Sequence, residues 1–408
     1  MARKPLKIND SAWLFAETHR TPMQVGMLAT FSVPEDRPDF VADLVARWRE
    51  ARSFAPPFNY LFRQLPFPSW AELPDHEIDL DYHLRHSALP SPGSQRELGV
   101  LVSRLHSTMM DRRYPLWECH VIEGLEEDRW ALYVKAHHSQ VDGVGGIRLL
   151  KRMLSVDPDA RDLLPPWAIG TRGPDQSGTR LLRTASTTAD DEVETPDDPL
   201  ADGRARALDL VRPAVAAATG VVAGAGLQAA RVASSLTRTY AESLTGLGAG
   251  DGQAVPFRAP RTIFNGRIHT PRRFATQHYS IDHMKQVAKA AGGSINDVFL
   301  TIAGGALRRY LIEVGALPDE TLTANVPVSV RTGEGASVGN AITFLYAELG
   351  THIADPVERI AAIRASTSLG KARLPEVDGI AMDAYTAVLM LPFLSQAILG
   401  VGGHGAPA

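Results

Sequence analysis

A change of composition near the middle of the chain is the feature that most constrains its fold. Residues 170–200 are crowded with glycine, serine, threonine, proline and acidic residues, whereas apolar residues recur at regular spacings on both sides. A stretch this polar cannot bury enough apolar surface to form a core. The sequence therefore predicts two globular domains, over residues 1–168 and 256–408, and a flexible linker with an alanine-rich helical segment over residues 169–255.

The overall composition excludes several classes of protein. The chain has 408 residues, of which 44% are hydrophobic, so each half is long enough to bury a core. Its 42 basic and 46 acidic residues leave a net charge of −4, which argues against nucleic acid as a partner. Its one cysteine, Cys119, can form neither an intramolecular disulfide nor a cysteine metal cage. Because the N-terminus does not resemble a signal peptide, we expect a cytoplasmic protein.

Both halves show apolar periodicities typical of α/β structure. One helix face is marked in the first half by apolar residues three or four positions apart: Val41, Leu44, Val45 and Trp48. Residues 94–97 have the spacing of a capping box, which predicts the start of another helix. Strands are predicted over residues 27–33, 130–136 and 322–330. Further helices are predicted from Asp10 as an N-cap, from Ile281, from Ser294, and from Pro356 with Asp355 as its cap.

The segment with the clearest chemistry follows the strand predicted over residues 130–136. It places His137 and His138 at the strand end, with Asp142 and Gly143 in the turn that follows. A histidine at such an edge can take a proton from a hydroxyl, an amine or a thiol near neutral pH. This arrangement favours group transfer without a protein nucleophile. Asp142 can orient the histidine loop through a hydrogen bond or an ion pair, and Gly143 can let the backbone turn sharply.

Other interpretations of the two histidines stay open. Paired histidines also occur as packed core residues or as metal ligands. No cysteine cluster and no HExxH pattern accompanies them, so we predict no metal site. Cys119 lies in an apolar stretch, where packing is its expected role.

A second candidate cluster lies in the other half of the chain. Ser294 has the position of an N-cap, and Asp297 follows at capping-box spacing, so a structural role explains Asp297 as well as a functional one. Asn296 is the spare polar residue. Its amide can donate to a developing oxyanion if the two halves face one another.

Two further polar segments lie in apolar surroundings. Residues 115–118 precede a strand, and by composition they are an ordinary strand edge: Pro115, Leu116, Trp117 and Glu118. Arg331 ends another strand. It can pair with a buried carboxylate such as Asp142, or contact an anionic ligand.

Taken in order, these segments resemble a known family. The set comprises Asp10-Ser-Ala-Trp13, Pro22-Met-Gln-Val-Gly26, Pro115-Leu-Trp-Glu118, His137-His-Ser-Gln-Val-Asp142-Gly143, Ser294-Ile-Asn296-Asp297-Val298, Pro327-Val-Ser-Val-Arg331 and Gly339-Asn340. Together they resemble the bacterial wax ester synthase/acyl-CoA:diacylglycerol acyltransferase family. The resemblance is interrupted only in the linker.

The resemblance implies two domains like chloramphenicol acetyltransferase, with mixed sheets, a helical linker and an active-site tunnel between them. It implies that His138 is the general base, that His137 supports it and that Asp142 holds the geometry of the motif. Asn296 and Asp297 are implied to line the site from the second domain.

The implied reaction joins the acyl group of acyl-CoA to a long-chain alcohol or a diacylglycerol. The substrate oxygen attacks the thioester directly, and acyl-CoA is a co-substrate, with no cofactor implied. The implied residues for substrate binding or structural support are Gly143, Asp297, Pro115, Leu116, Trp117, Glu118 and Arg331. A peripheral position on the inner membrane or on lipid inclusions is a further expectation.

One departure and two alternatives accompany the resemblance. Members of the family usually continue with an Asn-Val-Pro-Gly-Pro-like segment, so we expect this chain to lack the family's C-terminal segment and its second domain to be incomplete. The first alternative is a condensation domain, which shares the HHxxxDG motif but uses carrier-protein thioesters. The second is a catalytically silent lipid-surface protein, in which residues 204–244 form a helix on anionic lipid rather than packing on the protein's own domains.

Overall fold

The structure is a computed structural model. It describes residues 3–6, 8–64, 67–141, 143–157, 160, 163–170, 234, 236, 254, 259–266, 269–329, 342–372, 374, 382, 385, 386 and 389. The strands of this part are β1 (Arg3–Pro5), β2 (Gln24–Ser32), β3 (Tyr60–Arg63), β4 (Ser69–Glu72), β5 (Leu84–Ala88), β6 (Trp117–Leu125), β7 (Arg129–His137), β8 (Thr323–Ser329) and β9 (Ile342–Glu348). Its α-helices are α1 (Ile8–Ala16), α2 (Phe40–Glu50), α3 (Leu80–His83), α4 (Gln95–Ser107), α5 (Gly143–Met153), α6 (Ile281–Ala290), α7 (Ile295–Glu313) and α8 (Pro356–Ala372).

A four-stranded mixed sheet organises the first half, in the order β2-β7-β6-β5. β7 pairs antiparallel with β2 on one edge and with β6 on the other, while β6 and β5 run parallel. Both edges of β7 are therefore hydrogen-bonded, and its residues from Trp130 to His137 are all buried. The strand that ends in the histidine motif is thus one of the best-held segments of this half.

Alternate residues of β7 pack into cores on opposite faces of the sheet. Leu132 and Val134 pack in the core that contains α2, and Ala131 and Tyr133 pack in the core that contains α4. Because side chains alternate along a strand, a sheet covered on both faces produces a continuous apolar run rather than an alternating one. This explains why the sequence of β7 is apolar throughout most of its length.

A second, antiparallel sheet lies beside the first, with the order β1-β4-β3. Its aromatic side chains Phe62 and Trp70 form a small core with Leu14 of α1 and with Leu116, the residue just before β6. α1 is thereby held close to the end of the sheet at which the histidine motif lies.

The second half contains the antiparallel pair β8–β9 and the helices α6, α7 and α8. α7 and α8 pack on the strand pair through a core that includes Leu311, Leu345 and Ile363. The approach is close at Gly304 of α7, where an added Cβ would lie 2.2 Å from the carbonyl oxygen of Leu349. A residue without a side chain is required at that point.

A short segment before α6 lies on the first half. The Thr270 hydroxyl donates to the carbonyl of His19 at 3.0 Å, and the Arg272 backbone N–H donates to Ser107 Oγ at 2.9 Å. The Arg272 guanidinium also donates to the carbonyl of Arg20 at 3.2 Å. We call residues 269–274 the strap, because they join the second half to the first.

Most of the predicted elements are confirmed, with shifted ends. The residues expected on one helix face are the buried residues of α2, and the capping box of Ser94 and Glu97 is formed at the start of α4. Asp355 caps α8 by accepting from two backbone N–H groups of its first turn. The prediction that Asp10 caps the first helix is wrong, because α1 begins at Ile8 and Asp10 lies in its first turn.

The predicted linker, over residues 169–255, lies almost entirely outside the described residues, as does most of its alanine-rich segment. In the part of the chain that the structure describes, no helix combines the length and apolar character needed to cross a bilayer.

Candidate active site

The histidine motif is fixed at the end of β7 from both neighbouring strands. The backbone N–H of His137 donates to the carbonyl of Leu116 at 2.9 Å, and that of His138 donates to the carbonyl of Met23 at 2.9 Å. Gln24 lies opposite His137 in the register of β2 with β7. The backbone of both histidines is therefore set by sheet pairing rather than by a loose loop.

The two imidazoles have different environments. The His137 side chain is fully buried, whereas His138 is partly exposed. The ring of His138 stacks on the indole of Trp13, with centroids 4.2 Å apart and an angle of 16° between the planes. Of the two, His138 is thus the one that a substrate can reach.

Hydrogen bonding identifies the tautomer of neutral His137. The backbone N–H of Ser139 donates to His137 Nδ1 at 3.1 Å, and Ser139 Oγ lies 2.7 Å from the same atom. Because a backbone N–H can only donate, Nδ1 carries the lone pair and the ring proton lies on Nε2. That Nε2 faces the Glu17 carboxylate, with Oε1 3.5 Å away.

The Glu17 carboxylate is a buried charge beside the motif. Its side chain is only 1% exposed, and it accepts from the Met23 backbone N–H at 3.0 Å and from the Arg112 guanidinium at 3.1 Å. Burial alone would raise the pKa of Glu17. The contacts with His137, Met23 and Arg112 outweigh burial and lower the pKa below its ordinary value, so this carboxyl group is ionised at neutral pH.

Residues 115–118 lie where β6, the strand beside the motif, begins: Trp117 and Glu118 are its first two residues. Leu116 and Trp117 are buried in the core, and the Trp117 indole N–H donates to the carbonyl of Phe58 at 2.8 Å. Trp117 lies opposite Ala136 in the sheet register. These contacts hold both side chains in the core of the first half.

Glu118 takes part in a buried cluster of charges. Its carboxylate lies 3.0 Å from both Lys135 Nζ and His120 Nε2, and Lys135 Nζ also donates to the carbonyls of Leu105 and Thr108. Burial raises the pKa of Glu118, but the contacts with His120 and Lys135 outweigh burial and lower it to about 2. The cluster links β6 and β7 to the end of α4.

The second predicted cluster begins α7. Ser294 and Asp297 form a reciprocal capping box, in which Asp297 Oδ2 accepts from the Ser294 backbone N–H at 2.7 Å and from its hydroxyl at 2.8 Å. Asp297 Oδ1 accepts from the Thr367 hydroxyl at 2.8 Å. The Asp297 carboxylate therefore acts as a helix cap and ties α7 to α8. Asn296 is exposed on the same turn.

Of three further predicted site residues, the structure describes one. Asp142 and Arg331 lie outside the described residues. Gly143 is the exposed first residue of α5, and its φ is not in the left-handed region.

The site also contains residues that sequence reasoning missed, namely Trp13, Glu17, Ser139 and Arg112. Glu17 directly follows an apolar helix, so sequence alone presents it as a surface residue. Its contact with His137 spans 120 positions of the chain, and no local pattern predicts a contact of that range. Cys119 is packed as expected, and burial raises the pKa of its thiol. Within the described part of the chain, no group of three or more histidine, cysteine, aspartate or glutamate residues could hold a metal ion.

Two family models match this chain. The model of the wax ester synthase/diacylglycerol acyltransferase catalytic domain matches residues 6–299, and the model of the C-terminal domain of the same family matches residues 338–404. The expectation that the chain lacks the family's C-terminal segment is therefore corrected, because the C-terminal domain is present.

Individual relatives agree with the family models. O-acyltransferase WSD of Acinetobacter baylyi is 35% identical over 391 residues, covering 95% of this chain and 77% of the relative. A Mycobacterium tuberculosis protein named probable diacyglycerol O-acyltransferase tgs2 is 37% identical over 402 residues, which cover 96% of this chain and 79% of the relative.

A solved structure gives the same result for the fold. The wax ester synthase/diacylglycerol acyltransferase from Marinobacter aquaeolei VT8 matches with a TM-score of 0.68 and 31% identity, covering 98% of this chain and 79% of that protein. The predicted α/β fold with mixed sheets is confirmed. On the family models and on these relatives, the chain belongs to the wax ester synthase/diacylglycerol acyltransferase family.

Proposed function

We propose that this protein is an acyl-CoA-dependent O-acyltransferase that forms wax esters, triacylglycerols or both, with His138 as the general base. The observation that carries the assignment of the base is the contrast between the two histidines. His137 is buried and both of its ring nitrogens face protein groups, whereas His138 is partly exposed at the end of a rigid strand.

The proposed reaction is a direct transfer. His138 takes the proton from the hydroxyl of a fatty alcohol or a diacylglycerol, and the oxygen attacks the thioester carbonyl of acyl-CoA. The tetrahedral intermediate collapses with cleavage of the carbon–sulfur bond, and the CoA thiolate takes the proton back from His138. No acyl-enzyme forms, and the buried Cys119 thiol is a poor nucleophile in keeping with this route.

The other predicted site residues enter as part of the same proposal. Asn296 is exposed at the start of α7, and its side-chain amide N–H donates a hydrogen bond to the developing oxyanion. Asp142 holds the motif's geometry, and Arg331 pairs with a carboxylate or contacts the anionic part of acyl-CoA. The reaction needs acyl-CoA as co-substrate and no further cofactor.

The names of the relatives support the choice of substrates: one is named an O-acyltransferase and another a diacylglycerol acyltransferase. A condensation-domain-like enzyme would instead use a carrier-protein thioester and an amine. We further propose that the protein works at a lipid surface, where its apolar acceptors lie.

The test uses the full-length protein with palmitoyl-CoA and either hexadecanol or dipalmitoylglycerol. Ester is detected by mass spectrometry and released CoA by its thiol. We expect both products in equal amounts from the wild type, and a loss of roughly 100-fold or more in kcat for His138→Ala, the usual contribution of a general base. We expect His137→Ala to lose less.

The matched control is His76→Ala, because His76 is exposed and lies in a short helical turn away from the motif. It should keep wild-type turnover. Wild-type rates in a folded His138→Ala variant would refute the assignment of the base, and a wild type that released no CoA and formed no ester would refute the activity.

A further inference from the structure

The end of helix α1 presents two side chains to the histidine motif. Trp13 stacks on the ring of His138 at 4.2 Å, nearly parallel to it. Glu17, four residues later, is buried beside His137. Neither residue is needed to form the sheet, because α1 lies outside the β2-β7-β6-β5 ladder.

Glu17 reaches both histidines by short paths. Its Oε1 accepts from the backbone N–H of Met23 at 3.0 Å, and the carbonyl of the same Met23 accepts from the backbone N–H of His138 at 2.9 Å. The same Oε1 faces the Nε2 of His137 at 3.5 Å. One carboxylate therefore orients the His137 ring and anchors the residue that holds the His138 backbone.

Arg112 keeps this carboxylate in place. Its guanidinium donates to Glu17 Oε2 at 3.1 Å and also to the carbonyl of Leu14, in the last turn of α1. The positive charge compensates for burying Glu17, and the second bond ties the position of α1 to that of the carboxylate. Trp13 and Glu17 are thus held as one unit.

We propose that Trp13 and Glu17 are positioning residues for His138: Trp13 fixes the plane of its ring, and Glu17 fixes its backbone and the neighbouring His137. The proposal rests on the proposed function, in which His138 is the base. Proton transfer depends steeply on placement, and a displacement of about 1 Å can cost roughly 100-fold in rate. Loss of either contact therefore lowers kcat more than it weakens substrate binding.

The first test compares Trp13→Leu with the conservative variant Trp13→Phe. Leucine fills the space without a ring to stack, so kcat should fall about tenfold while KM for palmitoyl-CoA stays within about twofold. Phenylalanine keeps a stacked ring and should restore kcat to within about threefold of the wild type. Equal kcat values for the two variants, or a change confined to KM, would overturn the role of Trp13.

The second test is Glu17→Gln, with Glu77→Gln as the exposed control. Glutamine can still accept from Met23 but loses the charge that faces His137 and Arg112, so kcat should fall about fivefold to tenfold with KM nearly unchanged. The control should keep wild-type kcat and KM. A folded Glu17→Gln variant with wild-type kcat would overturn the role of Glu17.

A third measurement needs neither turnover nor Glu17 substitution. Diethyl pyrocarbonate modifies accessible neutral imidazoles, and peptide mass spectrometry gives its rate at His138. Stacking on Trp13 shields one face of the ring, so modification should be several times faster in Trp13→Leu and unchanged in Trp13→Phe. Equal rates of His138 modification in the wild type and both variants would refute the contact between Trp13 and His138, whatever reaction the enzyme catalyses. If the modification rates differ as expected but the wild type forms no ester, only the proposed function is refuted.

Discussion

At the scale of single residues, burial changes the pKa of polar side chains in the first half. His83 is a clear case. Its Nδ1 lies 2.7 Å from the carbonyl oxygen of Trp117, and its ring stacks on that indole at 4.1 Å. Burial lowers the pKa of His83 from 6.5 to about 4, because the charged imidazolium would lose its hydration there.

This burial predicts a loss of stability in mild acid. Between pH 6.5 and pH 4 the unfolded chain binds a proton at His83 and the folded protein does not, so the free energy of unfolding falls as the pH falls. The contribution is about 3 kcal/mol over that window. Urea unfolding at pH 7 and pH 4.5 measures it, and the pH dependence should be smaller in His83→Phe, whose ring can still stack.

The control for this experiment is again His76→Ala, which should keep the pH dependence of the wild type because His76 is exposed. The prediction fails if His83→Phe and the wild type lose the same free energy of unfolding between the two pH values.

At the scale of elements, Asn296 and Asp297 differ in their contacts although both lie in the first turn of α7. Both carboxylate oxygens of Asp297 accept hydrogen bonds, one from Ser294 and the other from Thr367. Burial alone would raise its pKa, but these hydrogen bonds outweigh burial and lower it. Capping therefore accounts for the acidic residue of this motif, while the neighbouring Asn296 stays available for a substrate.

Asp297→Ala should destabilise the protein. The variant loses the carboxylate half of the capping box, although the Ser294 hydroxyl can still accept from the backbone N–H of residue 297. It also leaves the Thr367 hydroxyl with one partner fewer, so the free energy of unfolding should fall by about 2–3 kcal/mol. The matched control is Asp282→Ala, in the first turn of α6, where the carboxylate is exposed and contacts only Lys285 in the described structure. Equal losses in a urea unfolding experiment would contradict the capping role.

At the scale of the whole molecule, the strap is a described link between the two halves. The Arg272 guanidinium donates to the carbonyl of Arg20, and the Arg272 backbone donates to Ser107 at the end of α4. Arg20 follows Glu17 by three residues. The strap is therefore attached to the same corner of the first half that holds His138.

Arg272→Ala should loosen this attachment. The bond to the Arg20 carbonyl contributes about 1 kcal/mol, so the strap should detach more often and chymotrypsin should cleave after Phe274 about five times faster. Arg273→Ala is the matched control, because Arg273 is the exposed neighbour. Acceleration of equal size in both variants would contradict a role for the Arg272 side chain.

Local structure and family membership could both be predicted from the sequence. Helix faces such as that of α2, and caps such as Ser294 and Asp355, depend on contacts within one or two turns, so their spacing is visible in the chain. The motif order was sufficient to identify the family. The sequence did not show whether Asp297 caps a helix or lines the site, because its spacing from Ser294 is compatible with both roles.

Only the tertiary structure decided how the two histidines differ. Their exposure depends on the pairing of β7 with β2 and on the packing of α1, which bring Trp13 and Glu17 to a strand that lies more than 100 residues further along the chain. A stacked ring and a buried carboxylate carry no periodic signature. Contacts of this range follow from how whole elements pack, which is why the difference in exposure between the two neighbouring histidines was not predictable from sequence.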